Sequence, residues 1–235
     1  MAIRGFNSLL ALLECAMARE SHEAKRVRVR KIIALLKRTH PDARLALDFS
    51  NPLELLVALI LAAQARDDLV NVVTPELFRK YRTAAAYADE KESVLQKQVS
   101  RINFFRQKTR SIQRACAMLV KDFGGRVPDN IDDLLKLPGV GRKTANAILA
   151  NAFGQPAIVV DTHTWRLSQR LGLTNQDAPD KIEADLVTLA PRKEWTKFCH
   201  LLQFHGRRVC TARNPNCPNC SINKLCPWPE KTKAK

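Results

Sequence analysis

No apolar run in this 235-residue sequence reaches the length of a membrane span. It contains no internal repeat and no alternating apolar–polar pattern long enough for a sheet, so the expected fold is all-α. Acidic residues are scarce: 23 Asp+Glu face 39 Lys+Arg, which leaves a formal net charge of +16. A folded chain that basic most often meets a polyanion, and nucleic acid is the commonest one. Hydrophobic residues make up 46%, enough for a packed core and too many for a disordered basic tail. A complete disulfide framework is excluded by the odd count of seven cysteines. Cys15, Cys116 and Cys199 sit in apolar runs and read as buried thiols, whereas Cys210, Cys217, Cys220 and Cys226 crowd together as metal ligands do in a reducing compartment.

The N-terminus imitates a secretion signal, with Arg4, an apolar run over residues 9–13 and Ala16-Met17-Ala18. Glu14 interrupts that run, and Phe6, Leu9, Leu10, Leu13 and Met17 fall on one helical face. An amphipathic docking helix or a loose extension is the expectation for residues 1–20.

The chain is organised around Leu-Pro-Gly-Val-Gly-Arg-Lys-Thr-Ala-Asn at 137–146. A helix-like run precedes it and an Ala-rich helical run follows, giving helix, glycine hairpin, helix. Gly139 and Gly141 can take positive φ and carry no Cβ, so N–H groups can crowd onto a phosphate. The positive end of the second helix points at the same place. Pro138, Gly139, Val140, Gly141 and Arg142 are therefore candidates for gripping a nucleic-acid backbone without reading its sequence. Lys143 lies in the first helical turn, where the macrodipole disfavours a cation and Arg142 adds a second positive charge. Both push it towards the neutral amine that a nucleophile needs. These features alone fit a nucleophile and a phosphate-binding cation equally.

Along the chain, residues 22–38 form a basic helical run that ends at His40-Pro41. Asn51-Pro52-Leu53-Glu54 reads as N-cap, first-turn proline and capping glutamate, opening a helix apolar nearly all round to Ala63. A further run is broken or started at Pro75, shorter segments fill 84–99, and a long helix covers about 106–122. Ala157–Val160 is a short extended link, and Asp161 caps the helix that follows. Helical segments at about 179–190 and 193–208 complete the pattern.

Cys210, Cys217, Cys220 and Cys226 are separated by six, two and five residues, with Pro215, Pro218 and Pro227 stiffening the loop. Four thiolates suit zinc or a [4Fe–4S] cluster equally in ligand type. The single Cys-x-x-Cys knuckle weakens zinc, and Arg213 would project from the six-residue loop as a basic knob.

The hairpin, Val-Asp-Thr-His at 160–163 and the cysteine loop together resemble the endonuclease III family of base-excision-repair DNA glycosylases, over residues 25–228. That resemblance implies a six-helix lobe at 45–155, and a second lobe combining 21–44 with 156–235 that holds a [4Fe–4S] cluster. It implies double-stranded DNA with damaged bases or abasic sites as partner, bound across the cleft between lobes by a monomer that engages no membrane. The expected location is cytoplasmic, nucleoid-associated in a bacterium. By matching motif positions, Lys143 would be the Schiff-base nucleophile and Asp161 its carboxylate partner, giving base release followed by β-elimination. Oxidised pyrimidines are the substrates expected of this branch. His163 is expected to bond backbone at the helix start.

Competing readings are a non-catalytic or redox-sensing DNA-binding protein, a zinc-stabilised DNA-binding module and a monofunctional adenine-mismatch glycosylase. Lys143 together with Asp161-Thr162-His163 speaks against the first and last of these. Two places depart from the family pattern. Arg66 stands near Gln64, the candidate for filling the gap left by a flipped base, where a small hydroxyl residue is usual. Ile102-Asn103-Phe104-Phe105 replaces a glycine-containing turn that presents one apolar wedge, and Phe104 is the wedge candidate.

Overall fold

The structure, a computed structural model, describes residues 20–233. The expected N-terminal helix and Cys15 lie outside the described residues. Local signals set most helix starts. Ser21 caps α1 (His22–Thr39) by accepting from the Ala24 N–H at 3.1 Å, and Val29, Ile32, Ile33 and Leu36 bury its apolar stripe. Asn51 caps α2 (Pro52–Ala62) through the Glu54 N–H at 3.0 Å. Glu54 reaches back to the Ser50 N–H at 2.6 Å, one residue before the cap, so the capping box closes in a shifted form.

The next helix differs from expectation. α3 (Asp67–Lys80) runs unbroken through Pro75. A proline deletes one N–H and crowds the preceding turn, but burial of Val70, Val73, Thr74 and Leu77 on either side of Pro75 holds the helix together. The chain continues through α4 (Ala84–Ala88), α5 (Glu92–Gln98), α6 (Phe105–Asp122), α7 (Ile131–Leu134) and α8 (Arg142–Ala152). α9 (Thr162–Arg170), α10 (Pro179–Leu189) and α11 (Trp195–Arg208) follow, with 3-10 turns at 192–194 and 223–225. The described residues contain no strand.

The buried side chains form two separate cores. One gathers residues between Leu47 and Leu149, centred on α2 and α6. The other draws Val29, Ile32, Ile33 and Leu36 of α1 together with Ile158, Val160 and the inward faces of α9, α10 and α11. The chain thus leaves the second core after α1, builds the first, and returns through the link at 157–160. Asn146 of α8 fixes that return by donating Nδ2 to the Ile158 carbonyl at 3.0 Å and to Glu183 at 3.0 Å. Cys199 secures it from the other side, its Sγ accepting the Val159 N–H at 3.2 Å.

Candidate active site and DNA interface

A cleft opens where the link crosses between the cores, and Lys143 and Asp161 both line it. Lys143 is exposed in the first turn of α8. Asp161 is the N-cap of α9: its Oδ1 accepts the Thr164 N–H at 2.7 Å, and its Oδ2 accepts from Gln203 Nε2 at 3.1 Å. The carboxylate is therefore held by a helix start on one side and by α11 on the other. Gln203 was not found from the sequence, nor was His200, which lines the same cleft one turn earlier on α11. The signal for both was faint: polar side chains three positions apart within the otherwise apolar stretch Phe198–Phe204.

The hairpin behaves as expected in part. Gly139 takes φ +83°, and a Cβ there would lie 2.8 Å from the Ser111 Cβ of α6, so the turn is pressed against the first core. Gly141 does not take positive φ; it is the extended N-cap of α8, with φ −95°. A Cβ at Gly141 would meet nothing within 4 Å, which leaves open approach to the first turn of α8. Val140 departs further: its side chain is buried and its N–H donates to the Leu137 carbonyl at 3.0 Å, because that bond closes the turn. Val140 therefore shapes the hairpin and offers no donor to a phosphate. Pro138 is half-buried beside it.

Arg142 is also engaged. Its Nε and Nη2 donate to the two carboxylate oxygens of Glu183 at 2.9 and 3.0 Å, a bidentate pair between the hairpin helix and α10. Its charge is matched on the spot, which removes Arg142 from the argument for a neutral Lys143.

Gln64 and Phe104 are the two non-glycine residues with positive φ among the described residues, at +55° and +57°. Both are exposed, Phe104 at 61% of its surface, whereas neighbouring Ile102 is buried. Such strained backbone persists where the surroundings impose it and concentrates at functional sites. Arg66 pairs with Asp68 through two hydrogen bonds.

His163 Nδ1 lies 3.2 Å from Arg166 Nη2, and the ring also has a backbone partner at Gly206. Burial holds its pKa below the ordinary histidine value, against the pull of Asp161. Arg166 also donates to the Gly206 and Cys210 carbonyls, both at 3.0 Å. One turn on, Arg170 donates to Cys210 Sγ at 3.2 Å and to the Thr211 and Ala212 carbonyls at 2.8 Å, while stacking over Trp228 at 4.1 Å. α9 thus carries Asp161 at its start and anchors the cysteine loop near its end.

Cys210, Cys217, Cys220 and Cys226 line one recess with Arg170, His205 and Trp228. The donors around it suit thiolates: besides Arg170 on Cys210, His205 Nε2 lies 3.3 Å from Cys220 Sγ. Among the described residues, no three His, Cys, Asp or Glu side chains converge as a single-ion site would require. Arg213 is exposed at the tip of the loop.

A family profile described as the HhH-GPD superfamily base excision DNA repair protein matches residues 57–192. Endonuclease III of Synechocystis sp. is 47% identical over 207 residues, covering 87% of this chain and 94% of that protein. Endonuclease III of Bacillus subtilis is 44% identical over 187 residues, covering 79% and 85%. Among solved structures, a trapped endonuclease III–DNA covalent intermediate superposes with a TM-score of 0.82 at 43% identity, covering 86% of this chain and 95% of the other.

Proposed function

Because this chain belongs to the endonuclease III family of the HhH-GPD superfamily, we propose a residue-level account of how it works. The protein is a bifunctional base-excision enzyme, a DNA glycosylase with AP-lyase activity, and it binds DNA. Its substrate in this reading is double-stranded DNA carrying an oxidised pyrimidine or an abasic site, which a monomer engages in the cytoplasm, at the nucleoid if the cell is bacterial.

Lys143 is the nucleophile and Asp161 its partner. The observation that carries this is their shared cleft, with the Asp161 carboxylate pinned by Thr164 and Gln203. A damaged base cannot be reached within the stack, so its nucleotide first flips out. The Nζ lone pair of neutral Lys143 then bonds to C1′ as the glycosidic bond breaks, its electrons leaving with the base, which takes up a proton. Asp161 stabilises the positive charge developing at the sugar and accepts the proton that the amine loses. Ring opening gives an imine, which acidifies C2′–H. Loss of that proton and rupture of the C3′–O bond release the downstream strand with its phosphate, and water then hydrolyses the imine to free Lys143.

Gly139, Gly141 and the first turn of α8 hold the phosphate backbone, with Pro138 and Val140 shaping the turn. Gln64 and Phe104 occupy the space that the flipped nucleotide leaves. The four loop cysteines hold a [4Fe–4S] cluster. The shared recess and the Arg170 and His205 contacts to sulfur support a thiolate-ligated centre, and the single Cys-x-x-Cys knuckle favours the cluster over zinc. When bound, it supplies a rigid cross-link that presents Arg213 to a phosphate.

Borohydride trapping on oligonucleotides with oxidised pyrimidines or abasic sites tests this account. The wild-type chain should form a covalent adduct, and Lys143→Ala should bind DNA but form none. Normal trapping by Lys143→Ala would sink the Schiff-base role.

A further inference from the structure

Lys108 is a buried cation with no carboxylate partner among the described residues. It is 6% exposed, and its Nζ donates to the Leu61 carbonyl at 2.8 Å. Its place on α6 is a poor one for charge, close to a helix N-terminus, where the macrodipole disfavours a cation. It also occupies the core-facing stripe that continues through Ile112, Cys116 and Leu119. Burial lowers its pKa, so the site bears a cost that an apolar residue would avoid.

What the ammonium does is visible at the end of α2. The last carbonyls of a helix need partners from elsewhere. α2 has no basic residue in its last turn, and its C-cap Ala63 returns no backbone bond. Lys108 supplies that cap from another helix. The residue after Ala63 is Gln64, in the left-handed position that usually falls to glycine. At its other end, Lys108 donates its backbone N–H to the Phe104 carbonyl at 3.1 Å. Phe104 is the second left-handed residue and the N-cap of α6.

We propose that Lys108 is a positioning residue for nucleotide flipping, clamping the end of α2 to the start of α6 so that Gln64 and Phe104 meet the duplex at a fixed spacing. This rests on the reading of Gln64 and Phe104 as gap-filling residues. Lys108 never touches DNA; it acts through the two turns it joins. A neutral side chain of the same length fills its volume but leaves the Leu61 carbonyl bare, so that the Gln64 turn is held to α2 by the Ala65 N–H bond to the Ala62 carbonyl, at 3.0 Å, without the ammonium beside it.

The test uses the full chain, with single-turnover excision of an oxidised pyrimidine paired in a duplex, and cleavage of an abasic site in a single strand. Lys108→Met should slow duplex excision by about tenfold or more while changing single-strand cleavage by less than about twofold, the pattern of a displaced positioning group. Lys108→Gln, which keeps a donor, should recover most of the loss. Combined with Gln64→Ala and Phe104→Ala, Lys108→Met should cost nothing further. Unchanged duplex excision by Lys108→Met would overturn the proposal, as would equal losses on both substrates with a lowered Tm. If Gln64→Ala and Phe104→Ala themselves show the duplex-selective loss, those failures belong to Lys108 alone. If neither shows it, the gap-filling reading falls and takes this proposal with it.

Discussion

Asp161 illustrates how one carboxylate can serve two purposes in this cleft. One oxygen caps α9 through Thr164 and the other accepts from Gln203. Asparagine keeps the size and the capping oxygen, and the Gln203 amide can turn to accept from its new neighbour. Asp161→Asn should therefore fold with an unchanged Tm and bind DNA normally. Only charge is lost, and base excision should slow by roughly 10²-fold, the usual scale for removing one electrostatic or acid–base group. Single-turnover excision on a duplex lesion checks this, and an unchanged rate would reduce Asp161 to a helix cap. The capping role was legible in the sequence because a cap is local, spanning three residues. Gln203 was not, because its bond to Asp161 spans 42 residues and no periodicity records it.

Among the elements, α9 joins the cleft to the cysteine loop. Nine residues take the chain from Asp161 to Arg170, whose guanidinium holds Cys210, Thr211 and Ala212. Loosening the cysteine loop should therefore be felt first in the Arg213 knob and only then at the catalytic end. Changing Cys210, Cys217, Cys220 or Cys226 to Ser should lower the iron content from about four per chain and weaken DNA binding. Cys116→Ser should leave both unchanged. Cys116 is fully buried in the other core, where burial pushes its thiol up to about 12. Iron analysis with a DNA titration decides the matter, and stoichiometric zinc in the active wild-type chain would contradict the cluster. The elements themselves were legible wherever their signals were short-range, as at Asn51-Pro52 and at the Pro138–Gly141 turn. α3 departs from the sequence expectation because tertiary burial around Pro75 outweighs the local rule that proline ends a helix. Lys108 did leave a trace, a cation at a position where the α6 period calls for an apolar side chain. Its partner, 47 residues away on α2, was not readable from that trace.

At the scale of the whole molecule, the first and last parts of the described chain close one core together. Arg28 of α1 donates to the Leu171 and Leu225 carbonyls at 2.8 and 3.1 Å. The cleft lies between this core and the other, and His200 stands at the junction, lining both that cleft and an adjoining recess with Leu45, Leu47 and Asn151. Burial pushes the His200 pKa down to about 4; Lys197 reinforces the shift and Asp161 opposes it. In the unfolded chain the same imidazole titrates near 6.5. Between those values the unfolded state binds the proton and the folded state does not. The stability that His200 contributes is therefore present above about pH 6.5 and lost as pH falls towards about 4. Acidification also adds positive charge to a chain already at +16, in the same direction. Glu90, held down to about 2 by Lys80 and Tyr81, loses its share at lower pH, so the two effects separate on the pH axis. The wild-type Tm should accordingly fall as pH drops from about 6.5 to about 4, and His200→Gln should have a shallower slope across that window. Some slope remains, since burial also depresses His40, His163 and His205. Thermal unfolding of both chains across the window is the measurement, and equal slopes would remove His200 from the account of acid sensitivity.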